Sequence, residues 1–290
     1  MPYMNVTMPV VIRNLHSTTP DESAKRSVLT PPLADRVRRR LVEAVTEGVD
    51  RLAAFVPAGA LERALSAVEE FPDLYETRPV RDNSGGSGFN DSLWLFVLGR
   101  VLAPSWIVES GVHKGHSTWI LRQACPRAPI FSFDITLKNL RYRDERAEYF
   151  DSDWSHWTLP EGLDPAQALI FFDDHIDQAR RLKEAANRGF TTALFDDNFP
   201  AEHLHATGGP PVPTLAMVLD ADLAGVTEIE WTRGGKIYRY AVDHEALDEA
   251  RALIAHYEIM PDLAQITRFP LGSGLTVVGI RPSGTAEAPK

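Results

Sequence analysis

Ile107-Val108-Glu109-Ser110-Gly111-Val112-His113-Lys114-Gly115-His116-Ser117-Thr118 carries an apolar strand into a glycine-containing turn and then into a helix. Gly111 and Gly115 allow a backbone to pass close to a ligand, and the N–H groups that open the following helix favour a polar or anionic group. Glu109, at the carboxyl end of the strand, can accept from a cationic amine. A second acid, Asp134, closes the apolar run Phe131-Ser132-Phe133-Asp134, where a carboxylate can take both hydroxyls of a ribose. Taken singly, such glycines can simply turn the chain and such an acid can simply cap a helix. Together they describe a nucleoside site with an extra cationic end.

The segments around this turn alternate in the same manner. Strand character recurs at 130–134, 168–172 and 192–195, and helical character at 118–124 and 178–187, a rhythm that implies a mainly parallel sheet with right-handed crossovers. In the tail, 227–232 and 236–242 read as strands around Gly234-Gly235, 243–257 as a helix and 275–280 as a last strand suited to an antiparallel place. Upstream, 91–98 is apolar on nearly every side and predicts a buried helix, entered from the loop Asp82-Asn83-Ser84-Gly85-Gly86-Ser87-Gly88. Val37, Leu41, Val45, Val49, Leu52 and Val56, then Leu61, Leu65 and Val68, predict two amphipathic helices within 31–80 that serve as a lid or a dimer surface. Residues 1–30 show no periodicity and read as a flexible arm, leaving 81–290 as the ligand-binding domain.

Composition narrows the partners. A formal net charge of -10 opposes binding to nucleic-acid phosphates, and Arg38-Arg39-Arg40 fits a solvated helix face. The single cysteine, Cys125, permits neither an intrachain disulfide nor a cysteine zinc site. With no sustained apolar run and no leader pattern in the first residues, the expectation is a cytoplasmic homodimer or higher homo-oligomer with no membrane partner and a small-molecule substrate.

The glycine spacing argues against a dinucleotide. G-x-G-x-x-G is replaced by G-V-H-K-G, and Glu109 ahead of it would repel a diphosphate. Two later strands end in acids, Phe171-Phe172-Asp173-Asp174-His175 and Leu194-Phe195-Asp196-Asp197-Asn198. In a parallel sheet these ends converge on one crevice, and carboxylates gathered there without Lys or Arg call for protons or a hard divalent cation, Mg2+ by preference.

With these motifs the chain resembles the class I S-adenosylmethionine-dependent methyltransferases over roughly residues 80–280: V-E-S-G-V-H-K-G-H-S-T is similar to their first motif and F-S-F-D-I to their acidic second-strand motif. The resemblance implies a doubly wound α/β fold, a mainly parallel Rossmann-like sheet with an antiparallel C-terminal strand, here with an N-terminal helical extension. It implies that Glu109, Gly111, His113 and Ser117 line the methionine end, within a cofactor-binding turn that includes Gly115 and Thr118, that Asp134 holds the ribose, and that Asp153 and Trp154 lie near the adenine.

The acidic strand ends are similar to those of catechol-type and macrocin-type O-methyltransferases and of cephalosporin hydroxylase-like proteins. By that likeness Asp174, Asp197 and Asn198 are metal ligands, with Asp173 and Asp196 as substitutes if the register shifts by one. Catechol-type enzymes carry a lysine three residues after the first ligand, where this chain has Asp177. His175, His203 and His205 are then candidate bases, and Asp174 with His175 the expected catalytic pair. The function so implied is metal-assisted methylation of a hydroxyl on a sugar or secondary metabolite. The alternatives are a metal-independent methyltransferase with a histidine base and a non-catalytic nucleotide-fold binding protein.

Overall fold

All five residues of β1 (Trp106–Ser110) are buried, so this strand has both faces covered and no polar alternation. In the computed structural model, residues 31–205, 209–270 and 272–281 are described; the arm expected at 1–30 and Gly208 lie outside them. β1 pairs in parallel with β2 (Ile130–Asp134) on one side and β4 (Ala168–Phe172) on the other. The sheet is completed by β3 (Ala147–Asp151), β5 (Thr192–Phe195), β8 (Ile254–Ile259) and β9 (Thr276–Ile280) in the order β3-β2-β1-β4-β5-β9-β8. β9 runs antiparallel to both neighbours, and the other strands run one way.

Helices cover both faces. α1 (Pro31–Arg51), α2 (Ala60–Glu76), α3 (Phe89–Leu102) and α4 (His116–Ala124) bury Val45, Phe71, Phe96 and Ile120 against Ile107 and Leu169. α5 (Gln178–Asn187) and α7 (His244–Leu253) bury Leu182 and Leu247 against Val108 and Ile170, and α6 (Leu215–Leu219) adds Leu215 and Val218 to that layer. α1 and α2 therefore contribute to the main core. β6 (Glu228–Arg233) and β7 (Lys236–Ala241) form a separate two-stranded hairpin, and the short α8 (Ala264–Thr267) packs against α1. No helix among the described residues is long and apolar enough to cross a membrane.

The elements depart from expectation in two places. β3 is an additional strand at the sheet's edge, half-exposed, so its short Ala-Glu-Tyr-Phe-Asp run carries little periodic signal. The helix expected over 243–257 ends at Leu253, and Ile254–Ile259 pairs with β9; the partner strand, present only in the folded chain, overrides local helical character.

Candidate functional site

After β1 the chain turns back to β2 and β3, and it reaches β4 on β1's other side before moving outward to β5. This is a topological switch point, and the crevice outside the carboxyl ends of β1 and β4 is where such sheets bind ligands. Glu109 sits beneath it, fully buried. Its Oε2 accepts from Thr118 Oγ1 at 2.6 Å and Ser132 Oγ at 2.7 Å, whereas Oε1 has no partner. Burial raises the carboxyl's pKa, against the pull of those hydroxyls and of Ser117. Thr118 is thus spent on Glu109, and Ser117 and Thr118 are both buried at the start of α4.

Gly111 and Gly115 have φ of 101° and 85°, and the close approaches they permit are to the protein's own backbone. A Cβ on Gly111 would lie 2.2 Å from the Asp173 carbonyl oxygen, and one on Gly115 would lie 2.3 Å from that of Tyr142. These contacts lock the turn to the ends of its neighbours. Asp134 Oδ2 accepts from the backbone N–H of Val112 (3.0 Å) and His113 (2.9 Å), and Oδ1 accepts from Thr136 (3.0 Å), leaving acceptor capacity on Oδ1. His113 adopts a left-handed φ of 47°. Lys114 Nζ donates to the Asp82 and Ser84 carbonyls and to Ser84 Oγ, drawing the glycine-rich loop against the turn.

Of the metal ligands read from the sequence, Asp197 stands in an acid–imidazole cluster, while Asp174 and Asn198 carry hydrogen bonds of their own. Asp174 Oδ2 accepts from Ser110 Oγ at 2.5 Å and from Arg181 Nε at 2.9 Å. Asn198 is buried with its amide nitrogen on Tyr257 Oη and Thr276 Oγ1 and its oxygen on the Ala216 N–H. Both are committed to holding structure. One ligand atom from each of Asp173, His175 and Asp197 lies within 4.8 Å of the others, which is the one-residue shift in register at β4 with an imidazole in place of the amide.

His175 and Asp197 both have left-handed backbones, φ 55° and 52°, and His175 Nδ1 lies 3.1 Å from Asp197 Oδ2. The hydrogen bond with Asp197 lifts the imidazole to about 9. Burial, then the Asp197 charge, holds Asp173 well above the ordinary carboxylate range, and burial, then Asp173, does so for Asp196. Asp196 also accepts from Ser273 Oγ, which hydrogen-bonds Asp91 as well. Acids therefore crowd this crevice, with His175 among them.

Arg181 on α5 was invisible as a site residue in the sequence. Its guanidinium reaches Asp153, Asp174 and Glu184, and against its burial these carboxylates raise its pKa further. Nothing local marks it, because Asp153 and Asp174 come from other segments and Glu184, one turn along α5, makes an ordinary i,i+3 pair. Asp153 is held by Arg181 and caps a short 3-10 turn by accepting from the Ser155 N–H. Trp154 is fully buried against Phe172 and Phe190, so its ring belongs to the core rather than to the crevice surface. Asp177 caps α5 by accepting from the Arg180 N–H, and His203 and His205 are exposed, outside the ligand cluster.

No family model matches the chain. Similar curated proteins are the trans-aconitate 2-methyltransferases of Afipia carboxidovorans, 32% identical over 94 residues, and Rhodopseudomonas palustris, 27% identical over 124 residues. The matches take in 30% and 41% of this chain and 37% and 44% of those proteins, so the chain spans less than half the length of the curated relatives it matches. Solved structures with a similar course include the SAH-bound methyltransferase PaMTH1 of Podospora anserina, 18% identical with a TM-score of 0.40, covering 88% of this chain and 98% of that one. The O-methyltransferase TomG of Streptomyces achromogenes is 14% identical with a TM-score of 0.41, covering 82% and 97%. The strand order, the strand-turn-helix of β1 and α4 and the acidic end of β2 give this chain the fold of the class I S-adenosylmethionine-dependent methyltransferases.

Proposed function

We propose that the protein is an S-adenosylmethionine-dependent methyltransferase that transfers the methyl group to a hydroxyl oxygen of a small molecule, with a divalent cation held by Asp173, His175 and Asp197. The reading is carried by one adjacency: Glu109 and Asp134 stand at the ends of β1 and β2, and the Asp173-His175-Asp197 cluster stands at the ends of β4 and β5 beside them. When bound, S-adenosylmethionine supplies an electrophilic methyl group. The unpartnered, buried Oε1 of Glu109 suits a cationic amine, and the free capacity of Asp134 Oδ1 suits a ribose hydroxyl. A divalent cation supplies Lewis acidity that makes a hydroxyl easier to deprotonate. Two carboxylates and one imidazole fit such an ion, and the imidazole widens the choice from Mg2+ toward Mn2+ or Zn2+. Asp173, Asp174, Asp196 and Asp197 line the crevice and present it with oxygen atoms that an acceptor hydroxyl can hydrogen-bond.

A second reading, without metal, is supported by the His175–Asp197 pair at 3.1 Å, an imidazole oriented by a carboxylate as a base requires. Raised to about 9, that imidazole keeps its proton near neutrality and accepts another only after losing it.

Calorimetry with S-adenosylhomocysteine tests the donor, and a manganese titration tests the ion. The wild type should bind S-adenosylhomocysteine, and Asp134→Ala should weaken it at least about tenfold, about 1.4 kcal/mol. No binding at millimolar concentration would sink the donor reading. Mn2+ should bind the wild type and not Asp197→Asn; equal binding to both favours the metal-free reading.

A further inference from the structure

Arg181 donates four hydrogen bonds, all to carboxylates, and makes a further ion-pair contact with one of them. Nε donates to Asp174 Oδ2 at 2.9 Å, and Nη1 donates to Asp153 Oδ1 at 3.0 Å and Glu184 Oε2 at 2.7 Å. Nη2 donates to Asp153 Oδ2 at 2.9 Å and lies 2.8 Å from Asp174 Oδ2. The side chain is 2% exposed, and its planar group stands over the Phe172 ring. A guanidinium held at four N–H groups by three carboxylates is a rigid connector, which a lysine ammonium with three donors on a flexible stem cannot reproduce.

The connected parts follow different strands, β3 and β4. Asp153 follows β3, whose Asp151 is in register with Asp134 of β2, and on the donor reading this is the donor side. Asp174 lies between Asp173 and His175 in the turn after β4, on the cation side. That turn is held by Ser110 Oγ and Arg181 on Oδ2 and by the Ile176 N–H on Oδ1. Within it, His175 keeps a left-handed backbone, which persists in a non-glycine residue only where the surroundings over-determine it. The anchored turn is what brings Nδ1 of His175 to Asp197.

We infer that Arg181 is a positioning residue that couples the donor side of the site to the His175–Asp197 pair, so that donor binding beside the segment after β3 is felt at His175. This rests on the donor reading proposed above. A purely structural ion cluster would hold α5 in place and transmit nothing.

The imidazole resonances of His175, followed by 1H–15N NMR in chelator with and without S-adenosylhomocysteine, separate the two. In the wild type the compound should shift these resonances. In Arg181→Lys its dissociation constant should rise at least about fivefold and the induced shift should largely vanish. Asp153→Asn removes the charge and one acceptor of the donor-side arm, leaves Asp174 and Glu184 on Arg181, and guards against a misfolded lysine variant; it too should lose the induced shift while still unfolding in a single cooperative transition. A full induced shift in either variant overturns the coupling. A wild type that binds no S-adenosylhomocysteine overturns the donor reading alone. The coupling is then judged without ligand, since Asp153→Asn must by itself move the His175 resonances, and unmoved resonances overturn it.

Discussion

His175 and Asp197 meet at 3.1 Å, and their hydrogen bond raises the imidazole from 6.5 to about 9. A histidine whose pKa is higher in the folded state adds stability that is complete below the unfolded value and is lost as pH rises through the folded one. The window here is about pH 6.5 to 9. The ring is half-exposed, so solvent screening reduces the gain to about 1 kcal/mol or less. In chelator, the stability difference between wild type and Asp197→Asn should be constant below about pH 6.5 and shrink toward pH 9. A difference independent of pH would show that the pair is not formed. Glu109 and Asp134 were legible at this scale, because strand ends and acids are local features. The role of Gly111 was half legible: the turn is plain, but the contact that forbids a Cβ is the Asp173 carbonyl, which is distant in sequence. Asp173 against Asp174 was not legible, since Arg181 and Ser110 decide which carboxylate is left facing the cluster.

At the scale of elements, the N-terminal helices change meaning. Their amphipathic pattern is equally suited to a lid, a dimer surface or a core layer, because periodicity gives an apolar face and not its partner. Phe71 of α2 packs against Tyr75, Phe89 and Phe96, joining α2 to α3 in the main core. Phe71→Ala should therefore cost about 3–5 kcal/mol and lower the main unfolding transition. Denaturant unfolding followed by tryptophan fluorescence checks this; an unchanged main transition would make α1 and α2 a separable unit. α3 was legible as buried because its apolar residues run all round, and α5 was legible by its helical period and the stop at Gly189, yet neither pattern showed which side chain of α5 reaches the crevice.

Across the whole molecule, the seven-stranded sheet supports the site and the β6–β7 hairpin stands apart from it. The hairpin touches a small satellite cluster of Leu204, Met217 and Leu223 through Ile229, Trp231 and Tyr240. Its base is already closed, with the Val242 N–H on the Thr227 carbonyl at 2.9 Å. Replacing residues 228–241 with two glycines should leave S-adenosylhomocysteine binding intact and lower the melting temperature by roughly 4 °C or less. Loss of binding in a folded variant would tie the hairpin to the site. The fold class and the turn after β1 were written in the sequence itself, because strand, turn and helix there are contiguous and their periods and glycines act over a few residues. Tertiary structure alone decided that Ile254–Ile259 is a strand, that Asn198 holds β5 to β9 and α6, and that Asp173 joins His175 and Asp197. Each of these depends on a partner distant in sequence, and hydrogen-bond and charge satisfaction between distant segments leaves no periodic trace in the chain.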